Sequence, residues 1–283
     1  MRQTPSVLYI AVDPLIPARG KGLPGVDEFT AALDHQGIPA VWLTSRSRLQ
    51  FDEPRRKLGH THPFIAEDGC AVYLPEDYFH LRPESGASRS AKEPLRLGRF
   101  PCIPIAEILP AAADALETLS ADTGVSVVTL RSLSARELVQ NTGLAQREAA
   151  LARQRDFDDL FFFAGVSERE VERFISEGRQ RQLQFRQHGV LWSAAIGASI
   201  QRCIAELSRL YDRALRYHAR TIGIATEDQA SSLFPFCERT ILLTHKECIS
   251  SSISDMSFPR ARRVPLQGPD TWEQLLEACT ARK

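Results

Sequence analysis

The amino-acid sequence predicts an α/β fold, a parallel-sheet core interrupted by an inserted α+β module. Three observations carry that expectation. Short apolar runs alternate with helical patterns from Val7 onward. The polar stretch His80 to Arg99, with Pro83, Gly86 and Pro94, then breaks the alternation. Residues 101–186 follow a different rhythm, and the first pattern resumes beyond His188. Strands that alternate with helices need crossover connections and therefore pair in parallel.

The elements follow in order. Val7-Leu8-Tyr9-Ile10-Ala11-Val12 is a continuous apolar run, as expected of a strand buried on both faces. After a Gly- and Pro-rich loop from Pro17 to Gly25, Val26, Phe29 and Leu33 recur at helical spacing and Gly37 stops the helix. Pro39 to Leu43 is a second strand, ending in Thr44-Ser45; a polar helix-compatible stretch leads to Pro63-Phe64-Ile65-Ala66. Glu67-Asp68-Gly69 predicts a tight turn before Cys70 to Leu74. In the inserted module, helices are expected over Ala111–Leu119 and Ala145–Arg153, with strands at Val125–Val128 and Leu160–Phe163. Ser134/Glu137 and Ser167/Glu170 have the spacing of capping boxes. Val190-Leu191-Trp192 reads as the resumed core. Ile200, Ile204, Leu207 and Tyr211 line one helical face. Two buried strands follow at Thr221–Ala225 and Thr240–Leu243, and Asp270 precedes a last helix packed through Trp272. The expected organisation is a Rossmann-like core of residues 1–80 and 187–283 around an inserted α+β cap of residues 81–186.

Composition narrows the partners. The chain has 283 residues, 43% hydrophobic and 25% charged, with zero net charge. Bulk electrostatics therefore give no hold on nucleic acid or a membrane surface. No apolar run approaches the ~20 residues of a membrane span. The start, Met1 to Pro5, carries no leader pattern. The six cysteines, at 70, 102, 203, 237, 248 and 279, are scattered without metal-site spacing. Reduced thiols and a cytoplasmic protein are the expectation.

Asp13 closes the first strand. Open α/β sheets bind ligands at the carboxyl ends of their strands, so Asp13 marks the expected cleft. Thr44 and Ser45 end the second strand; their hydroxyls suit an anion or local turn bonds. Arg46 and Arg48 follow and suit the same anion or a solvated helix start. Glu227 and Asp228 follow the Thr221–Ala225 strand, where carboxylates suit a metal or a helix N-terminus.

Several stretches resemble one family. Leu43-Thr44-Ser45-Arg46 after Gly37-Ile38-Pro39, Pro63-Phe64-Ile65-Ala66-Glu67-Asp68-Gly69-Cys70-Ala71-Val72-Tyr73-Leu74-Pro75, and Thr142-Gly143-Leu144 followed by Ala149 to Asp159 are similar to motifs of the mannosyl-3-phosphoglycerate phosphatases. Gly268-Pro269-Asp270-Thr271-Trp272 fits that family's C-terminal region. These are haloacid-dehalogenase-like enzymes whose cap follows the third core strand. The resemblance implies Asp13 as nucleophile, Thr44, Ser45 and Arg46 as the phosphate site, and Arg153, Arg155 and Asp156 as substrate-facing cap residues. Asp158 and Asp159 stand in the same segment, where an intra-cap salt-bridge network is the other reading. Mg²⁺ would be the cofactor of an active member, held by Asp13 with Glu227 or Asp228.

The chain departs from that pattern where the chemistry is done. The general-acid position two residues after Asp13 is Leu15, Ile200 stands where the family has Lys, and the loop after the fourth strand reads Thr226-Glu227-Asp228-Gln229-Ala230. Loss of a general acid alone costs roughly 10²–10⁴-fold. Loss of the Lys and metal ligands as well removes most of the electrostatics that phosphoryl transfer uses. The sequence therefore favours a weakly active or inactive relative that binds a phosphorylated sugar or sugar acid, or a protein partner. The alternative is a Mg²⁺-dependent phosphatase acting through an aspartyl-phosphate at Asp13.

Overall fold

The computed structural model describes residues 5–16, 23–79, 95–244, 258–266 and 270–281. Pro17 and the loop after it to residue 22, linker residues 80–94, Cys248 and Gly268-Pro269 lie outside the described residues.

The chain opens with β1 (Ser6–Ala11), α1 (Val26–His35), β2 (Ala40–Leu43), α2 (Arg48–Lys57) and β3 (Phe64–Ala66). Then come β4 (Ala71–Tyr73), β5 (Leu95–Leu97) and β6 (Phe100–Pro104). The inserted part holds α3 (Leu109–Thr123), β7 (Val127–Thr129), α4 (Ala135–Thr142), α5 (Gln146–Ala152), β8 (Asp159–Phe163) and α6 (Glu168–Gln180). It closes with β9 (Leu183–His188) and β10 (Leu191–Ile196). The last stretch is α7 (Ile200–Leu215), β11 (Arg220–Thr226), α8 (Glu227–Leu233), β12 (Arg239–Thr244), β13 (Arg262–Pro265) and α9 (Thr271–Thr280).

Among the described residues, one sheet runs β13-β12-β11-β1-β2-β3-β4-β6-β5. It is parallel from β13 to β3 and antiparallel beyond. Side chains alternate across β1. Leu8, Ile10 and Val12 join Phe29, Phe51 and Leu275 on one face. Val7, Tyr9 and Ala11 join Cys203, Ile204 and Leu207 of α7 on the other. Burial on both faces is why β1 reads as an unbroken apolar run.

The second sheet, β7-β8-β10-β9, is antiparallel throughout. On β8, Phe161 packs with Leu116, Leu119, Phe174 and Phe185. Its neighbour Leu160 faces the other way, toward Leu138 of α4 and Ala149 of α5. The Ser134/Glu137 and Ser167/Glu170 capping boxes both form, and Gly143 ends α4 in the left-handed conformation. A third box, Ser47 with Gln50, starts α2. Asp270 precedes α9 but makes no side-chain cap bond. Trp272 packs on Phe29 at a centroid distance of 5.3 Å.

Two placements differ from the sequence expectation. The run after His188 belongs to the second sheet, because only Gly189-Val190 separates β9 from β10 and so short a link makes a hairpin. Residues 95–104, read as linker and cap, extend the first sheet antiparallel to β4. The described cysteines are all free thiols.

Gly178 in α6 offers a packing test. A Cβ there would sit 2.5 Å from Phe185 Cε2 and 2.7 Å from Leu119 Cδ2. Alanine would gain about 1 kcal/mol of helix propensity. Overpacking costs about 1–3 kcal/mol, and at these distances it wins. Gly178→Ala is therefore expected to lower the thermal midpoint; an unchanged or higher midpoint refutes the packing described here.

Candidate functional site

The site is built where the ends of β1 and β2 meet the inserted module. Neighbouring parallel strands bring Asp13 beside Thr44, Ser45 and Arg46. The Thr44 hydroxyl donates to Asp13 Oδ1. The Ser45 amide and hydroxyl each donate to Oδ2 at 2.7 Å. Arg46 donates to Oδ1 from Nε and Nη2, both at 3.3 Å. Its Nη2 also donates to the Ile16 carbonyl. Thus both carboxylate oxygens already accept charge-assisted or hydroxyl hydrogen bonds. The sequence-derived cluster of Asp13, Thr44, Ser45 and Arg46 is real as geometry, but its members bind one another.

Leu15 is 2% exposed and packs in the core beside Val26 and Phe29. It is not among the residues lining the cleft. Ile200 starts α7 against the Glu67-Asp68-Gly69 turn, and Gly69 is required there: a Cβ at its φ of +93° would lie 2.7 Å from the Ile200 amide nitrogen. Glu227 and Asp228 form the exposed first turn of α8. Asp228 borders the cleft and accepts from the Thr226 hydroxyl, whereas Glu227 is not among the lining residues.

The cap segment that the resemblance makes substrate-facing bonds to the core. Glu67 and Asp68 both adopt left-handed backbone, at φ +51° and +54°, and this aims their carboxylates across the seam between sheet and cap. Glu67, 1% exposed, accepts the amide N–H groups of Asp156, Phe157 and Asp158 at 3.1, 2.9 and 3.1 Å. Arg155 is buried; it forks onto Asp158 and donates to the Ser45 carbonyl at 2.8 Å. Asp156 accepts from Arg48 Nε at 3.1 Å and the Tyr73 hydroxyl at 2.9 Å. Arg153 is exposed and donates to the Arg131 carbonyl. None of Arg153, Arg155 and Asp156 is among the residues lining the cavity described next. Arg155 and Asp156 are committed to holding cap and core together.

A cavity of about 380 Å³ lies between the two sheets. Thr44, Ser45, Asp68, Ile200 and Asp228 form its core wall, and Arg179, Arg186, His188 and Trp192 its cap wall. Arg186 donates to the neutral Ser232 hydroxyl at 2.7 Å. His188 Nε2 pairs with Asp68 at 2.7 Å. Burial opposes the imidazolium, but Asp68 prevails and raises its pKa. The sequence reading did not single out Arg179 and Arg186. Strand alternation was the available signal for Arg186: Leu183 and Phe185 point into the cap core, so Arg186 and His188 point out of it.

A divalent cation does not fit these donors. Among the described residues, no three His, Cys, Asp or Glu side chains gather as a metal set. Asp13 accepts hydrogen bonds at both oxygens and Asp228 accepts from Thr226.

This arrangement of sheet, inserted cap and interlayer cleft defines the class: the chain has the haloacid-dehalogenase-like fold. A phosphatase of that superfamily from Bacteroides thetaiotaomicron superposes with TM-score 0.63 at 13% identity over 98% of this chain and 96% of its own. A haloacid dehalogenase-like hydrolase from B. subtilis gives 0.60 at 12% identity over 96% and 97%. In sequence, the chain is similar to curated mannosyl-3-phosphoglycerate phosphatases. A glucosyl-3-phosphoglycerate/mannosyl-3-phosphoglycerate phosphatase of Methanococcoides burtonii is 28% identical over 46% of this chain and 44% of its own length. One of that name from Persephonella marina is 19% identical over 84% and 83%. A mannosyl-3-phosphoglycerate phosphatase of Pyrococcus furiosus is 29% identical over 46% and 49%. Against the first and third, the match thus spans about half or less of the relative's length. No family model matches the chain.

Proposed function

We propose that this protein binds a phosphorylated sugar acid between core and cap and does not turn it over. The occupied Asp13 carboxylate carries this reading. A nucleophile must present a free oxygen lone pair to phosphorus; here both oxygens accept hydrogen bonds and a guanidinium balances the charge. The residue two positions on is a core leucine, so the acid that the resemblance implies at that position is missing. The cleft itself keeps anion chemistry. Arg179 and Arg186 line it, Arg186 bonded to the Ser232 hydroxyl and acting on the Asp68 charge, opposite Thr44 and Ser45 just after β2. The relatives' printed substrates, glucosyl- and mannosyl-3-phosphoglycerate, carry a phosphate, a carboxylate and hydroxyls, which suit two guanidinium groups and the cavity's polar wall.

Calorimetric titration with mannosyl-3-phosphoglycerate tests the reading. Binding is expected, and each of Arg179→Ala and Arg186→Ala should weaken it about 10- to 100-fold, the worth of one charge-assisted hydrogen-bonding group. A phosphate-release assay, with and without Mg²⁺, should detect no turnover. Turnover abolished by Asp13→Asn would establish the phosphatase reading instead. Absence of binding would reject the retained ligand site.

A further inference from the structure

We propose that Arg46 is a built-in cation, seated in the oxygen site that a divalent metal would take beside Asp13, so that Asp13 holds no metal ion. The guanidinium touches two oxygens of different origin. Nε and Nη2 reach Asp13 Oδ1 at 3.3 Å each, and Nη2 also donates to the backbone carbonyl of Ile16. A carboxylate paired with a backbone carbonyl is the kind of oxygen set that hard divalent cations bind. Here a side chain of the protein already holds it.

The arrangement is fixed rather than incidental. Arg46 is only 7% exposed, and its guanidinium lies 5.6 Å from the centroid of the fully buried Phe51 ring. Ile16, which supplies the carbonyl, packs with Leu15 in the core below β1. The other lone pairs of Asp13 accept from Thr44 and Ser45. A metal entering this spot would have to displace those donors and approach a fixed positive charge. Asp13 and Arg46 together are neutral, so the pair itself does not draw a dication in. The neighbouring carboxylates are engaged too, Asp68 by His188 and Asp228 by Thr226. The assignment stands whichever anion the cavity takes.

Mn²⁺ titration of the full chain, read by electron paramagnetic resonance, tests it. The wild type is expected to bind no Mn²⁺ at Asp13 in the millimolar range. Arg46→Ala and Arg46→Met, each checked for native circular dichroism, should gain one Mn²⁺ site at least about tenfold tighter than wild type. Adding Asp13→Asn should remove the gained site. The methionine keeps the stem on Phe51 and guards against loss of fold. Wild-type binding that Asp13→Asn abolishes would overturn the proposal, as would a folded Arg46 variant with no gain. If neither variant folds, the wild-type titration decides alone: Asp13-dependent binding rejects the proposal and none upholds it. These outcomes are separate from calorimetry with the sugar acid, which reads the cavity's cap wall.

Discussion

Replacing Arg155 with methionine is expected to destabilise the protein by about 3–5 kcal/mol, the cost of stripping one partner from a buried ionic cluster. The side chains involved leave no route to solvent: Arg155 is 4% exposed and Asp158 1%. Without the guanidinium, the buried Asp158 carboxylate would be left uncompensated beside Glu67, and the Ser45 carbonyl and Gln50 would lose a donor. Methionine keeps the apolar stem, so the loss reports charge rather than volume. Urea unfolding measures it, with Arg153→Met as control. Arg153 is exposed and touches only a carbonyl, so its change should stay within about 0.5 kcal/mol. Equal effects of the two substitutions would show that the seam does not carry the cap.

The same seam should loosen as pH rises. Burial pushes the Glu67 carboxyl up from 4.5 to about 8, with the Asp158 charge adding; Arg155 and the Asp156 and Asp158 amides pull back only in part. Between those values the folded chain holds more protons than the unfolded one. Stability therefore falls with rising pH across that window, on the order of 1 kcal/mol per unit. His188 acts in the same direction. Its pKa is raised above 6.5 by Asp68 against the cost of burial, so its contribution is full below 6.5 and lost as pH climbs through the raised value. Burial alone would raise the Asp68 carboxyl, but His188 holds it below 3.8, so the carboxylate side of this pair weakens only in acid. Urea midpoints should be higher at pH 5.5 than at pH 8.5. Glu67→Gln should flatten most of that slope, and His188→Gln a smaller part. A Glu67→Gln protein with the wild-type slope would contradict this assignment.

How much could be read beforehand follows from locality. β1 and β2 announce themselves because burial on both faces forbids polar interruptions. The Ser134 and Ser167 caps are legible because their chemistry spans only four residues. Asp13, Thr44, Ser45 and Arg46 could be grouped because adjacent parallel strands end together. What they do to one another could not, since a list of residue types does not say that donors will saturate the carboxylate. The cap segment is a different case: a salt-bridge network is one of its two readings, but that its bonds reach the core is not. Arg155 and Asp156 look suited to a ligand, yet their partners are Asp158, Arg48, Tyr73 and the Ser45 carbonyl, most of them remote in sequence. β10 was misplaced because an apolar run does not reveal which sheet receives it; the two-residue link before it did carry that information. β5 escaped notice because it is three residues long and largely exposed.

Leu15 also bears on how such a chain can change over generations. Its side chain is rooted among Val12, Val26, Phe29 and neighbouring core residues, on the side of the sheet away from α7. A mutation installing aspartate there would bury a carboxylate with no partner, costing several kcal/mol out of the roughly 5–15 kcal/mol that hold a typical domain folded. The first step toward a second acid beside Asp13 is thus penalised before any benefit in chemistry can appear. Compensating changes in α1 or its neighbours would have to come first. The core packing beneath the cleft acts as an evolutionary ratchet at this position.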